Sequence, residues 1–140
     1  MDIYFAGSIR GGRSDVSLYA ELISTLDEHG TVLTEHVGAE GVEEEEAKEG
    51  VTDSDIHDQD IEWLRQADVV VAEVTNPSLG VGYELGRATE WGTPILCLFR
   101  PDGEHDLSAM VRGNPHAEVV EYEQPADVTE RLTSFVSEYK

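Results

Sequence analysis

The run Val69-Val70-Val71-Ala72-Glu73-Val74 constrains the fold more than any other segment of this chain. It is short, apolar at almost every position and mostly β-branched, the pattern of a strand buried on both faces in the middle of a parallel sheet. Apolar periodicity predicts further strands over Met1–Ala6, Thr31–Thr34, Ile95–Phe99 and Glu118–Tyr122. Helices are predicted over Asp15–His29, from a cap at Asp53 or Ser54 to Gln66, over Val81–Trp91 and over Ala126–Tyr139, with a short helical turn at Leu107–Arg112. Tyr19, Leu22, Ile23 and Leu26 form one apolar stripe on the first helix, which Gly30 ends; Val128, Leu132, Phe135, Val136 and Tyr139 form another on the last. Strands separated by helices need right-handed crossovers between parallel neighbours. The expectation is an α/β fold: one domain over residues 1–140, a doubly wound five-stranded parallel sheet of Rossmann or flavodoxin type with strand order 2-1-3-4-5.

Composition narrows the function. With 30 acidic against 9 basic side chains the formal charge is -21, which excludes a general nucleic-acid binder. The apolar segments are regular and hold the aromatic residues, so the charge coats a folded surface rather than marking disorder. A salt-adapted protein accounts for it, because at molar ionic strength the Debye length shrinks to about 3 Å and acidic self-repulsion is screened. The lone Cys97, inside an apolar run, forms no internal disulfide and reads as a packing residue. No stretch approaches the roughly 18 apolar residues of a membrane span, and the N-terminus reads as a strand rather than a signal segment. A cytoplasmic protein, in a high-salt cytoplasm, with no membrane partner is expected.

Ligands of such sheets bind beyond the strands' C-terminal ends, which selects three loops: Gly7–Arg13, Thr75–Gly82 and Arg100–Ser108. The first, Gly7-Ser8-Ile9-Arg10-Gly11-Gly12-Arg13, offers backbone N–H groups, a hydroxyl and guanidinium groups to one phosphate, although the same residues also suit a structural turn. It lacks the spacing of dinucleotide and nucleoside triphosphate loops, so neither cofactor class is supported. Glu84 follows the glycine-spaced turn Ser78–Tyr83 at the predicted start of a helix, where the helix dipole favours its ionised form and makes it a nucleophile. Its ordinary alternative is a solvated helix glutamate. Asp60 shares a helix face with Ile56, Trp63, Leu64 and Ala67, an apolar setting that suits a carboxyl group to hold and donate a proton, or to cap a backbone or pair with an arginine. His36 and His57 have no metal-ligand spacing around them and read as surface or packing residues, so no metal is expected.

With these residues in hand, three segments carry a specific resemblance: Tyr4–Arg13, Ala67–Thr75 and Pro77–Ala88. The matches continue at Leu33–His36, Ile56–Asp60, Pro94–Pro101 and Leu107–Met110. The chain resembles the 2'-deoxynucleoside 5'-phosphate N-hydrolases of the nucleoside 2-deoxyribosyltransferase superfamily. The resemblance implies a cofactor-free hydrolase that cleaves the N-glycosidic bond of 2'-deoxynucleoside 5'-monophosphates. It makes Glu84 the nucleophile that forms a deoxyribosyl ester, Asp60 the proton donor to the departing base, and Tyr4 the residue that positions glutamate and sugar. Gly7, Ser8, Ile9, Arg10, Gly11, Ser78 and Gly80 then match the sugar and phosphate pocket. Ser108, with Met110 beside it, matches a serine supplied across a homodimer interface.

Two rivals remain at this level. A deoxyribosyltransferase would hand the sugar to a second base, but Ser8, Arg10 and Ser108 give a phosphate a home that a nucleoside transferase does not need, and the chain ends in Glu138-Tyr139-Lys140 without a terminal asparagine. A non-catalytic nucleotide-binding module needs the anion turn and has no use for both Glu84 and Asp60.

Overall fold

The structure, a computed structural model, describes residues 1–9, 15–38, 49–101 and 103–140. Strands β1 (Asp2–Ala6), β2 (Thr31–Val32), β3 (Val69–Glu73), β4 (Ile95–Phe99) and β5 (Ala117–Glu121) form one parallel sheet in the order β2-β1-β3-β4-β5. Every residue of β3 and β4 is buried, which is why these strands lack a polar alternation in sequence.

Successive strand residues point to opposite faces, and the sequence fills each face differently. Ile3, Phe5, Val69, Val71, Leu96 and Leu98 pack with helices α1 (Val16–Asp27) and α5 (Thr129–Glu138), through Tyr19, Leu22, Ile23, Leu26, Leu132, Phe135 and Val136. Tyr4, Ala6, Val70, Ala72, Ile95 and Cys97 face helices α2 (Asp53–Gln66) and α3 (Leu79–Glu90), through Leu64, Val81, Leu85 and Ala88. Burial pushes the Cys97 thiol up to about 12, so this cysteine is an inert packing residue. The parity that puts Phe5 in the first layer puts Tyr4 in the second, under the two helices that carry Asp60 and Glu84.

Element ends differ from the sequence expectation for identifiable reasons. β2 stops at Val32 because the Thr34 hydroxyl takes over the next pairing position, accepting from Phe5 N at 2.8 Å and donating to Phe5 O at 2.7 Å; a 3-10 turn, Glu35–Gly38, follows. Helix α2 is capped by Thr52 rather than Asp53 or Ser54, in a capping box with Asp55. Helix α3 begins at Leu79, earlier than periodicity placed it, because Ser78 Oγ accepts from Val81 N at 3.2 Å. The final predicted helix splits into a 3-10 turn, Pro125–Val128, and α5; Tyr139 ends outside its buried stripe, edge-on to Phe135. The short helix α4 (Ala109–Arg112) is capped by Ser108. Among the described residues, no helix is long and apolar enough to cross a membrane.

Candidate active site

Tyr4, Asp60 and Glu84 converge from β1, α2 and α3. The Tyr4 hydroxyl, buried in the sheet, donates a hydrogen bond to Glu84 Oε2. Glu84, Asp60, Gly7, Ile9, Ser78 and Gly80 line a cleft of about 950 Å³ at the C-terminal end of the sheet, together with His36, Ile56, His57, Trp63 and Tyr83. The imidazole of His36 lies 5.6 Å from the Trp63 ring. A Cβ on Gly80 would meet only Ser78 Oγ, at 3.8 Å, so the cleft wall there is bare backbone.

The electrostatics of Glu84 differ from the sequence reading. The longer α3 puts Glu84 in its second turn, where the N-terminal dipole has faded. Burial is the largest influence and raises its pKa; the Tyr4 hydrogen bond opposes that rise and the Asp60 charge adds to it, leaving the carboxyl pushed up to about 7. Tyr4 is itself raised by burial, by the charges of Glu84 and Asp60 and by the hydrogen bond to Glu84, so it stays a proton donor. Tyr4, rather than the helix end, is what favours the ionised form of Glu84.

The phosphate-binding candidates divide. Gly7 packs against Tyr19, and Ile9 lies beside it at the cleft. Ser8 is buried, and its Oγ has no hydrogen-bond partner among the described residues. Arg10 and Gly11 lie outside the described residues, as does most of the acidic stretch. Ser108 and Met110 are exposed on the far side of α3, lining a second groove of about 960 Å³ with Gly82 and Gly86. Ser78, Leu79 and Val81 line both. Thus Gly80 opens the Glu84 cleft, whereas Gly82 and Gly86 open the other groove.

Sequence reasoning passed over the support beneath the first turn. Glu73, buried in β3, accepts from Thr75 N at 2.7 Å, from Thr75 Oγ1 at 3.0 Å and from the Tyr122 hydroxyl, and pairs with Arg100 Nε at 3.4 Å. Arg100 reaches on to Asp15, which also accepts from Asn76 Nδ2 at 3.0 Å. Asp15 therefore ties the start of α1 to two strand ends instead of capping the helix. Metal-ligand spacing, which His36 and His57 lack, is also a poor guide to their place in the cleft. The available signals were their places, His36 just after β2 and His57 one turn before Asp60. Among the described residues no His, Cys, Asp and Glu side chains gather into a metal-holding group.

A profile of the nucleoside 2-deoxyribosyltransferase family matches residues 3–123, most of the chain. The chain belongs to that family. It is 63% identical over 113 residues to the 5-hydroxymethyl-dUMP N-hydrolase of Rattus norvegicus, a span covering 79% of this chain and 68% of that protein. It is 52% identical over 128 residues to the Danio rerio protein of the same name, covering 89% and 88% respectively. In fold it resembles the solved CMP N-glycosidase of Clostridium botulinum, with a TM-score of 0.69 at 16% identity, over 96% of this chain and 99% of that one. The five-stranded order expected from the sequence is thus observed, and the fold is shared with that neighbour.

Proposed function

We propose that this chain is a hydrolase of the N-glycosidic bond of 2'-deoxynucleoside 5'-monophosphates, acting through a covalent deoxyribosyl ester on Glu84. The observation that carries the reading is the hydrogen bond from buried Tyr4 to Glu84, which lines the same cleft as Asp60. The membership of the family and the names of the rat and Danio rerio relatives support the bond and substrate class.

In the first step a Glu84 oxygen bonds to C1' as the C1'–N bond breaks, and the Asp60 proton goes to the departing base. The transition state resembles an oxocarbenium ion, and a fixed carboxylate stabilises that charge as it develops. In the second step water attacks C1', Asp60 takes its proton, and Glu84 leaves as a carboxylate with 2-deoxyribose 5-phosphate released. Gly7, Ser8, Ile9, Arg10, Gly11, Ser78 and Gly80 hold the sugar and phosphate. Ser108 serves the phosphate of a neighbouring subunit in a homodimer, with Met110 beside it. The groove that holds both residues also carries Leu79, 96% exposed, and Met110 is itself 85% exposed, which supports burial against a second copy. A 2'-hydroxyl withdraws electron density from the cation and crowds the floor near Tyr4 and Ile9, so dAMP is preferred to AMP.

The test is a panel of deoxynucleoside monophosphates, 5-hydroxymethyl-dUMP included, assayed for free base in high salt. Glu84→Ala should bind substrate and lose turnover by orders of magnitude. Base release undiminished in that variant refutes the nucleophile. A new deoxynucleotide in good yield when a second base is added with dGMP makes the chain a transferase, and nucleotide binding without base release makes it a binding module.

A further inference from the structure

We propose that His57 and Tyr83 are a positioning pair that sets the spacing between the helix carrying Asp60 and the helix carrying Glu84. The inference rests on the reading of those two carboxyl groups as the reacting pair. His57 stands three residues before Asp60 on α2, and Tyr83 immediately precedes Glu84 on α3. Their rings stack at 5.6 Å between centroids and 23° between planes, with His57 Nε2 3.0 Å from Tyr83 Oη. Both residues line the Glu84 cleft.

The donor inventory makes this contact directional. Arg87 Nη1 lies 2.6 Å from Tyr83 Oη and can only donate, so Oη accepts from it and is free to direct its own proton at a neutral His57 Nε2. His57 then carries its proton on Nδ1 and donates it to Asp58 Oδ1 at 3.0 Å. The chain Arg87–Tyr83–His57–Asp58 crosses from α3 to α2 with each polar atom matched. Further along, Arg65 of α2 stacks at 4.9 Å on Trp91 at the end of α3, so the helices are joined at a second point outside the cleft lining. The distal joint fixes the helices as bodies, and the His57–Tyr83 joint fixes their ends at the cleft.

Such a contact matters more to rate than to folding. The His57 side chain is 48% exposed and Tyr83 is exposed too, so their hydrogen bond contributes little to stability. Displacing one reacting group by about 1 Å, in contrast, costs on the order of 100-fold in rate.

The test compares Tyr83→Phe, which keeps the ring and removes the hydroxyl, His57→Leu, which removes the acceptor, and His57→Gln, whose amide reaches the same hydroxyl. Each is assayed for kcat and KM on the best monophosphate substrate. The Glu84 carboxyl is also titrated by carbon-13 NMR in free enzyme, its signal assigned with Glu84→Gln. We expect Tyr83→Phe and His57→Leu to lower kcat about tenfold or more with KM within about threefold, and His57→Gln to recover most of it. The Glu84 midpoint should fall from about 7 in the two impaired variants, as the loosened cleft admits water, and hold in His57→Gln. Unchanged kcat together with an unmoved midpoint overturns the inference, as does equal loss in all three variants. If the wild-type protein releases no base from any monophosphate, the proposed function fails, and the titration alone decides whether the pair shapes the site.

Discussion

The hydroxyl of Tyr4, on the first strand, donates a hydrogen bond to the carboxyl of Glu84, on the helix after the third strand, and so ties the sheet to the helix that packs over it. That bond favours the ionised carboxyl against the burial that disfavours it. Tyr4→Phe should therefore raise the Glu84 pKa above about 7, moving the acid limb of the kcat/KM profile to higher pH. At pH 6 the loss should be about tenfold to a hundredfold, shrinking as the pH rises. A uniform loss at every pH would assign Tyr4 to sugar contact alone.

Glu84 should weaken the fold where it is active. Its folded-state pKa lies above the ordinary 4.5, so the neutral form stabilises the protein fully below that value and the contribution disappears as pH rises through about 7. The gap corresponds to on the order of 3 kcal/mol at most. Glu84→Gln keeps an acceptor for Tyr4 and never ionises. Urea denaturation at one fixed salt concentration should find it more stable than wild type at pH 8 and nearly equal to it at pH 4. Equal stability at both pH values would mean that the carboxyl is well solvated.

Asp60→Asn should separate proton donation from nucleophilic attack. The amide cannot protonate a departing base, so dGMP hydrolysis should fall by about a hundredfold to ten-thousandfold. A purine already methylated at N7 leaves without that proton, so 7-methyl-dGMP should be largely spared. Parallel losses on both substrates would move Asp60 from acid catalysis to an electrostatic or structural role.

The sheet was legible because its strands are continuous apolar runs, and β3 alone fixed the parallel, doubly covered plan. Tyr4, Asp60 and Glu84 were named through a resemblance, Glu84 also as a carboxylate after a glycine-spaced turn and Asp60 also as a carboxylate on an apolar helix face, and the structure brings the three together. What the sequence concealed was the environment of each. A dipole argument needs the helix start to the residue, and Ser78 moves that start back far enough to remove Glu84 from the first turn. The direction of Tyr4 follows from strand parity, but its meeting with Glu84 depends on how α3 lies on the sheet. Glu73 read as one polar interruption in an apolar strand, and its partners Arg100 and Tyr122 come from β4 and β5 ends far along the chain.

Gly7 should tolerate no side chain. A Cβ there would lie 2.9 Å from Cε2 and Cζ of Tyr19, whose ring is buried and held edge-on to Phe5 at 5.7 Å. Gly7→Ala must push that ring into a packed layer, at a cost of about 1–3 kcal/mol. The urea midpoint should fall, and Gly7→Ala combined with Tyr19→Leu should lose less than the two separate effects added. Strict additivity would show that the ring is not what the new methyl meets.

Salt should stabilise this protein through its surface. The cations among the described residues are largely committed: Arg100 to Asp15 and Glu73, Arg131 to Glu118 and Glu138, Arg112 to Glu121, and Arg65 and Arg87 to Trp91. With 30 acidic side chains against 9 basic ones the chain carries a large excess of negative charge, and its self-repulsion acts on the folded state more than on the expanded chain. Raising KCl from 0.1 M to 2 M shortens the screening length from about 10 Å to below about 3 Å and should raise the urea midpoint steeply at the lower concentrations. The same series on a variant with several exposed glutamates changed to glutamine should show a smaller rise. Sodium sulfate strengthens apolar burial as well as screening, so a KCl effect far below a sulfate effect at matched ionic strength would attribute the salt response to the core instead of the charge.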